Sequence, residues 1–477
     1  MEEEPASLQS QCLKCFNTFM SQICVKCLMI HPQQWNFDWL QNMIYRMPPI
    51  LANELTTTLL KSIDTLPFDS YYYNEHVECF DFIYKLIDAI VHPEVTELIL
   101  SRDELQTFPH VLTWNFVIPF LCKSMFSFQK LRIIRFPKCR VHVEIDFPEQ
   151  NGTLENLIEF TYANHCTNEL LKNVVESNIH LKRLDLMCSK NITDESIDGI
   201  LKLHYLEYLH LRETSISSHG LMRLMTSALG KQLKYVGFSS RTCGDFACVV
   251  SELQCITTLN ISCNEFNVDA IFGPKPLNNL LHLKALTVHS EERGLEMGLE
   301  TLINILGTQL VYLNLSSASP NIVNIIMRHC VRLECLIINS FFSSIEQIYL
   351  DTQPGFKSIT SIYLRTSTAE DTVKYILSCC INVKKISIQT CFSNDCMLMD
   401  EVLKKNPLVC LEELTWWPTG TLATTKVIHK VINCCPTLEV FRGSYVWCRK
   451  GDVQKLLEEV QEFYPEARIL KNMENEN

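Results

Sequence analysis

The chain has 477 residues, 47% of them apolar and 20% charged, and a net charge of −12. That apolar content excludes a disordered chain. The negative charge argues against non-specific binding to nucleic acid or to an anionic membrane. The 23 cysteines include the neighbours Cys379–Cys380 and Cys434–Cys435, which rarely pair with each other, so they read as small core residues of a reducing compartment. The start, Met1-Glu2-Glu3-Glu4-Pro5, lacks the basic and apolar regions of a signal peptide. No run of about 18 uncharged apolar residues suggests a membrane span. An intracellular protein is expected, cytoplasmic with a nuclear location left open. The sequons at Asn151, Asn191, Asn260 and Asn314 then read as chance matches.

Residues 7–30 carry Leu8, Cys12, Cys15, Phe16, Phe19, Ile23, Cys27 and Ile30 at helical spacing. Ser7 is the expected N-cap, and His31-Pro32 ends the helix. A short helix over 37–45 follows. Met47-Pro48-Pro49 opens another helix, with Leu51, Leu55, Leu59 and Leu60, and Leu66-Pro67 breaks it. Residues 74–91 read as a further amphipathic helix bearing Val77, Phe80, Ile83, Ile87 and Ile90.

At Val95 the pattern changes to L-x-x-L-x-L or its apolar equivalent. Val95–Leu98–Leu100 is a first rung, and an apolar helix around 112–126 separates it from Leu131–Ile134–Phe136. A weaker rung starts at Leu154. Regular rungs then start at Leu181, Leu206, Leu233, Ile256, Leu283, Leu310, Leu333, Ile359, Val383, Leu411 and Leu438. From Leu131 to Leu438, twelve intervals span 307 residues, a mean of about 25.6. This is the leucine-rich-repeat period, in which each unit is a strand followed by a helix, and only stacking buries the apolar face. Asn191-Ile192-Thr193-Asp194 supplies one helix start. At Ser262-Cys263-Asn264 an Asn side chain is expected to satisfy backbone groups between repeats. The expected fold is α/β: a leucine-rich-repeat solenoid, or horseshoe, of about 13 to 14 units. A helical module over 1–92 precedes the repeats of 93–450. A capping helix over 452–463 and a polar tail complete 451–477.

Two CxxC pairs, Cys12/Cys15 and Cys24/Cys27, raise a four-cysteine zinc site. The gap between them has no Gly or Pro for knuckle turns, and a helix places the pairs about three turns apart. Packed helix positions are preferred, with no metal and no cofactor. Catalysis finds little support either. The 14 glycines form neither G-x-x-x-x-G-K-[ST] nor G-x-G-x-x-G, and H-E-x-x-H and G-x-S-x-G are absent.

Ser7-Leu8-x-x-x-Cys12-x-x-x-Phe16 resembles the BC box, the elongin C-binding helix of elongin–cullin ubiquitin-ligase receptors. Met47-Pro48-x-x-Leu51-x-x-x-Leu55 resembles the cullin-two box. Leu8, Cys12 and Phe16 form an i, i+4, i+8 stripe suited to an apolar groove. The arrangement is similar to PRAME-type and zyg-eleven-type leucine-rich receptors. The resemblance implies a non-catalytic receptor in which Leu8, Cys12 and Phe16 dock elongin C with elongin B. Pro48, Leu51 and Leu55 would dock a cullin, cullin-two favoured, and the repeats a protein substrate. Zyg-eleven-type proteins also carry an armadillo-like C-terminal region that reads glycine N-degrons. No such region follows the repeats here, so that substrate rule does not carry over. Two readings stay open beside this one. Met47-Pro48-Pro49-Ile50-Leu51 also resembles the opening of an F-box, although an apolar helix precedes it and the next Trp is Trp114. The same residues also suit a non-ligase scaffold whose Leu8 and Leu51 merely cap the solenoid.

In L-x-x-L-x-L the x positions and the residue after the last L are expected on the concave face. Tyr208, Arg212, Tyr235, Tyr312, Tyr363, Arg365 and Trp417 are the candidate substrate contacts, because exposed Tyr, Trp and Arg anchor protein interfaces. His210, His289, Lys182, Arg183, Asp185 and Arg442 share the surface, with Trp416 buried beneath it. Lys384-Lys385 suggests a place for an acidic peptide.

Overall fold

The computed structural model describes residues 37–63, 85–89, 94–99, 128, 130–136, 154–240, 252–263, 280–290, 295–341, 356–366, 369–390, 395–418, 425–443 and 468–469. The chain divides into two compact units, Met1–Leu229 and Gly230–Asn477.

In the first unit, strands β1 (Glu97–Ile99), β2 (Ile133–Phe136), β3 (Glu159–Tyr162), β4 (Arg183–Asp185) and β5 (Tyr208–His210) run parallel in chain order. Parallel neighbours require a crossover, and the segment after each strand supplies it. The middle rung residues stack in one column: Leu98, Ile134, Phe160, Leu184 and Leu209, all fully buried. The third rung residues Phe136, Tyr162, Leu186 and Leu211 make a second buried column.

The second unit repeats this with β6 (Tyr235–Ser240), β7 (Thr258–Cys263), β8 (Ala285–His289), β9 (Tyr312–Leu315) and β10 (Cys335–Ile338). It continues with β11 (Ser361–Thr366), β12 (Lys385–Thr390), β13 (Glu413–Pro418), β14 (Val440–Gly443) and β15 (Arg468–Ile469). Its middle column runs Val236, Leu259, Leu286, Leu313, Leu336, Ile362, Ile386, Leu414 and Phe441. Each such side chain, taken from water, contributes about 1.5–3 kcal/mol. The chain is an α/β leucine-rich-repeat solenoid.

Two features differ from the sequence expectation. The weak rung begins at Leu157, not Leu154, since Phe160 is the residue in register with Ile134 and Leu184. Leu154 fills a turn position three residues earlier, which every neighbouring repeat also buries: Phe128, Leu203, Leu253, Leu280, Cys330, Phe356, Cys380, Leu408 and Cys435. There the carbonyl accepts the N–H of the first rung residue, as in Leu157 to Leu154 at 3.2 Å and Leu333 to Cys330 at 3.1 Å. The second cysteine of each neighbouring pair, Cys380 and Cys435, sits in that turn, and the first is half-buried. The series also extends past Leu438 to β15, where Glu466 stands in place of the first apolar residue and hides the rung.

Helices start where the sequence offers a hydroxyl. Thr167, Ser217 and Ser319 accept from the N–H groups of Leu170, Gly220 and Ile322 ahead of the helices Asn168–Ser177, Ser218–Met225 and Pro320–His329. Thr193 caps Asp194–Ser196 likewise, as expected. The caps are tied across repeats: Asn168 accepts from the Thr193 N–H at 3.0 Å, and Asp194 from the Ser217 N–H at 2.8 Å.

At the N-terminal side, the helices Asp38–Tyr45 and Pro49–Ile63 form where expected, and 85–89 is helical. Leu40, Ile44, Ala52 and Leu55 turn inward. Asn53 ties the second helix to the first strand. Its Oδ1 accepts the Thr96 N–H at 2.9 Å, and its Nδ2 donates to the Glu94 carbonyl at 3.5 Å. Residues 7–30, 112–126 and 452–463, with both CxxC pairs, lie outside the described residues, as do 74–84 and Asn264. Among the described residues no helix is long and apolar enough to cross a membrane.

Candidate interaction surface

A strand alternates its side chains. With the second and third rung residues fixed in the core, the residues beside them must face away from it. In the first unit this makes two columns: Ile133–Glu159–Arg183–Tyr208 and Arg135–Thr161–Asp185–His210.

Opposite charges meet across these columns. Arg135 donates through Nε and Nη2 to the two carboxylate oxygens of Glu159, at 2.5 and 2.7 Å. Those bonds raise the Arg135 pKa further above its ordinary value. Arg183 approaches the same carboxylate from the next strand, its Nε 3.1 Å from Oε1, and its guanidinium lies 3.5 Å from the centre of the Tyr208 ring. Tyr208 donates its hydroxyl to Asp185 at 3.2 Å. His210, buried, sets Nδ1 between both oxygens of Asp185, at 3.2 and 3.3 Å. Burial opposes the charge on Asp185. The hydrogen bond and charge of His210, the Met187 N–H and Arg183 outweigh it and hold the carboxyl below its ordinary range.

The second unit presents Tyr312–Cys335–Ser361–Lys385–Glu413 and Asn314–Ile337–Tyr363–Ser387–Thr415–Arg442. Glu413 is held between Lys385 at 3.2 Å and Arg442 at 2.7 Å. Tyr235 accepts from the Asn260 side chain at 3.3 Å, and Asn314 from Asn339 at 3.2 Å, so two sequon asparagines are engaged on this face. Burial, and Cys335 beside it, push the Tyr363 hydroxyl up. Burial pushes the Cys335 thiol up to about 11, so it stays protonated and poorly nucleophilic. The turn thiols Cys330 and Cys435 go up to about 12 for the same reason.

The structure sets the expected contacts as follows. Tyr208, Tyr235, Tyr312 and Tyr363 are half-buried on the strand face and Arg365 is exposed beyond them on β11. Arg212 is mostly covered and reaches Glu213 at 3.3 Å. Trp416 is fully buried, whereas the side chain of Trp417 lies outside the described residues. Lys384 and Lys385 are not free for an acidic peptide, because Glu412 at 2.7 Å and Glu413 at 3.2 Å neutralise them. On the helical module, Leu8, Cys12 and Phe16 lie outside the described residues; Pro48 is exposed and Leu51 half-buried. Leu55, at 2% exposed, is a core residue with no surface to offer a cullin. The exposed apolar side chains there are Trp39, Tyr45 and Ile50, the last at 71%. Arg135, Glu159 and Glu413 were not singled out in the sequence. The available signal was opposite charge at one rung position in successive repeats: Glu159 then Arg183, and Lys385 then Glu413.

No family model and no curated protein matches the chain. Among solved structures, an internalin from Listeria monocytogenes is similar at 16% identity and a TM-score of 0.32, covering 77% of this chain and 89% of that one. The complex of Rad7 and Elc1 from yeast is similar at 12% identity and a TM-score of 0.40, over 94% of this chain and 97% of that one.

Proposed function

We propose that the chain is the substrate-recognition subunit of an elongin B/C–cullin ubiquitin ligase, with no chemistry of its own. The observation that carries this reading is the helix pair Asp38–Tyr45 and Pro49–Ile63. Asn53 fixes the pair to the first strand, yet Trp39, Tyr45, Pro48 and Ile50 are left exposed beside the box-like motifs. A fixed handle with an uncovered apolar surface suits helix-in-groove docking. Leu8, Cys12 and Phe16 would enter the adaptor, Ile50 and Leu51 would meet the cullin, and the strand face would hold the substrate. Rate enhancement would come from proximity: the receptor holds a target lysine near a ubiquitin-loaded partner enzyme.

Co-expression with elongin B, elongin C and cullin-two tests this. The wild type is expected to co-purify with all three. Leu8→Asp is expected to lose all of them, and Ile50→Asp to lose the cullin while keeping the elongins. A folded Leu8→Asp protein with unchanged partners sinks the ligase reading, and capture of a Skp-type adaptor instead favours the F-box. The burial of Leu55 favours a second reading, a scaffold that uses its strand face alone, since it gives a box position a structural role. Under that reading Leu8→Asp changes stability only.

A further inference from the structure

In the second unit the turn that leads into each strand carries a second regularity. Two residues before the first rung residue, the side chain is exposed. That position holds Leu281, Val331, Ile381 and Val409 ahead of β8, β10, β12 and β13, at 71%, 63%, 49% and 48% exposure. Pro436 holds it ahead of β14, and Lys357 ahead of β11. A lone exposed apolar residue needs no explanation, but a row at one register position is a patch. Its polar neighbours lean basic in a chain of net charge −12. Lys284, Arg332, Lys357 and Lys405 are exposed there, against Glu334 and Glu439. Lys284, Arg332 and Lys357 have no acidic partner among the described residues.

We propose that this rim docks an acidic amphipathic helix of another protein, lying along the row. The strands beneath are about 4.8 Å apart. A helix advances about 5.4 Å per turn. One helical turn therefore faces one repeat, and over the four repeats from Val331 to Val409 the two fall out of step by only about 2 Å. The helix would place apolar residues on the turns facing Val331, Ile381 and Val409, and an Asp or Glu on the turn facing Lys357. Strand addition does not suit the rim. The Lys357 carbonyl already accepts from Asn382 at 2.7 Å, and the Val409 carbonyl from Thr437 at 2.9 Å. A lipid surface suits it less, because the row has no exposed aromatic residue and the chain as a whole would be repelled by anionic lipid. The rim is separate from the strand face, so this proposal does not rest on the ligase reading.

Selection of an unbiased helical peptide library against the full chain tests it. Enriched peptides are expected to carry Asp or Glu beside apolar residues spaced three and four apart. Their affinity, by fluorescence anisotropy, is expected to fall about tenfold or more with Ile381→Asp and to weaken with Lys357→Glu. A peptide with the facing acid changed to Lys is expected to regain affinity for Lys357→Glu. The proposal is overturned if no peptide enriches, if the enriched set is neutral or basic, or if both variants bind as the wild type does. It is equally overturned if the chain sediments with phosphatidylserine–phosphatidylcholine vesicles and Ile381→Asp abolishes that. Ile381 and Lys357 are exposed, so neither change threatens the fold.

Discussion

The two units carry the same device in different settings. On the first face Glu159 sits between Arg135 and Arg183, and on the second Glu413 sits between Lys385 and Arg442. In each case a carboxylate is clamped by two cations on its own face. The settings decide what the clamp is worth. Glu159 is 11% exposed, takes a two-pronged arginine bond, and its second arginine is stacked on Tyr208. Glu413 is 22% exposed, and one of its cations is a lysine that is 52% exposed. An arginine fork on a covered carboxylate is directional and screened little; an exposed lysine is a mobile point charge. The first face is therefore closed upon itself. The second can exchange its internal ion pairs for a partner's charges at small cost, and it adds Tyr363 and exposed Arg365.

The hardest blow to either face comes from beneath. Trp416 is fully buried under the second face, in register with Ile388 and Gly443. Gly443 has no side chain with which to fill a void. Trp416→Ala is expected to cost about 3–5 kcal/mol. Leu184→Ala, beneath the first face, is expected to cost about 2–5 kcal/mol. Urea unfolding of the full chain checks both. A loss under about 1 kcal/mol at Trp416 would mean that the second unit is not packed as described.

Glu159→Gln is the next effect in size. It leaves Arg135 and Arg183 facing each other without a counter-charge. Both arginines are about two-fifths exposed, at 41% and 38%, so solvent screening reduces the loss to about 1–2 kcal/mol. Replacing both arginines with Met in the Glu159→Gln background should return part of that loss, which the urea midpoint would show.

The pH dependence separates the faces again. The folded pKa of Asp185 is lowered, so its contribution is full above the ordinary carboxylate value near pH 4. It is lost as pH falls through the lower folded value. In the wild type the first unit is expected to lose about 1 kcal/mol over that acidic window, and Asp185→Asn should abolish the step. Amide exchange at residues 183–210 would follow it. An identical acid profile in the variant would show that His210 and Arg183 do not hold the carboxylate.

Much of this architecture was legible in the sequence, because burial writes a strong signal. The middle rung residues, from Leu184 to Leu414, are apolar in every repeat, and a strand beside them can face only one way. The cap at Thr193 was readable for a similar reason: a hydroxyl before an acidic first turn has few other uses. Three things were not legible, each with its own cause. Leu154 and Leu157 both fit a rung in L-E-N-L-I-E-F, and only the register with Ile134 decides between them. β15 has lost the apolar residue that marks a rung. Leu55 satisfies the cullin-box spacing and also a helix core position, and spacing alone does not say which side of the helix is covered. The clamps were missed because charged residues were weighed one at a time, whereas the pairing runs across repeats.

The smallest expected effect is the sharpest test of the comparison. Glu413→Gln removes the carboxylate that Lys385 and Arg442 share. Those cations are 52% and 37% exposed, and pairs of that kind contribute about 0–1 kcal/mol. Its unfolding midpoint should therefore stay close to that of the wild type, while Glu159→Gln moves clearly. The charge of the second face rises by one, with both cations released toward solvent. A protein substrate that meets this face with carboxylates should bind the variant more tightly, and added salt should erase the gain. If the substrate instead meets it with lysines or arginines, Glu413 is the attraction, and the variant should bind less tightly. Equal stability losses at Glu159 and Glu413 would show that burial does not distinguish the two clamps, and the division into a closed face and an open one would fall with it.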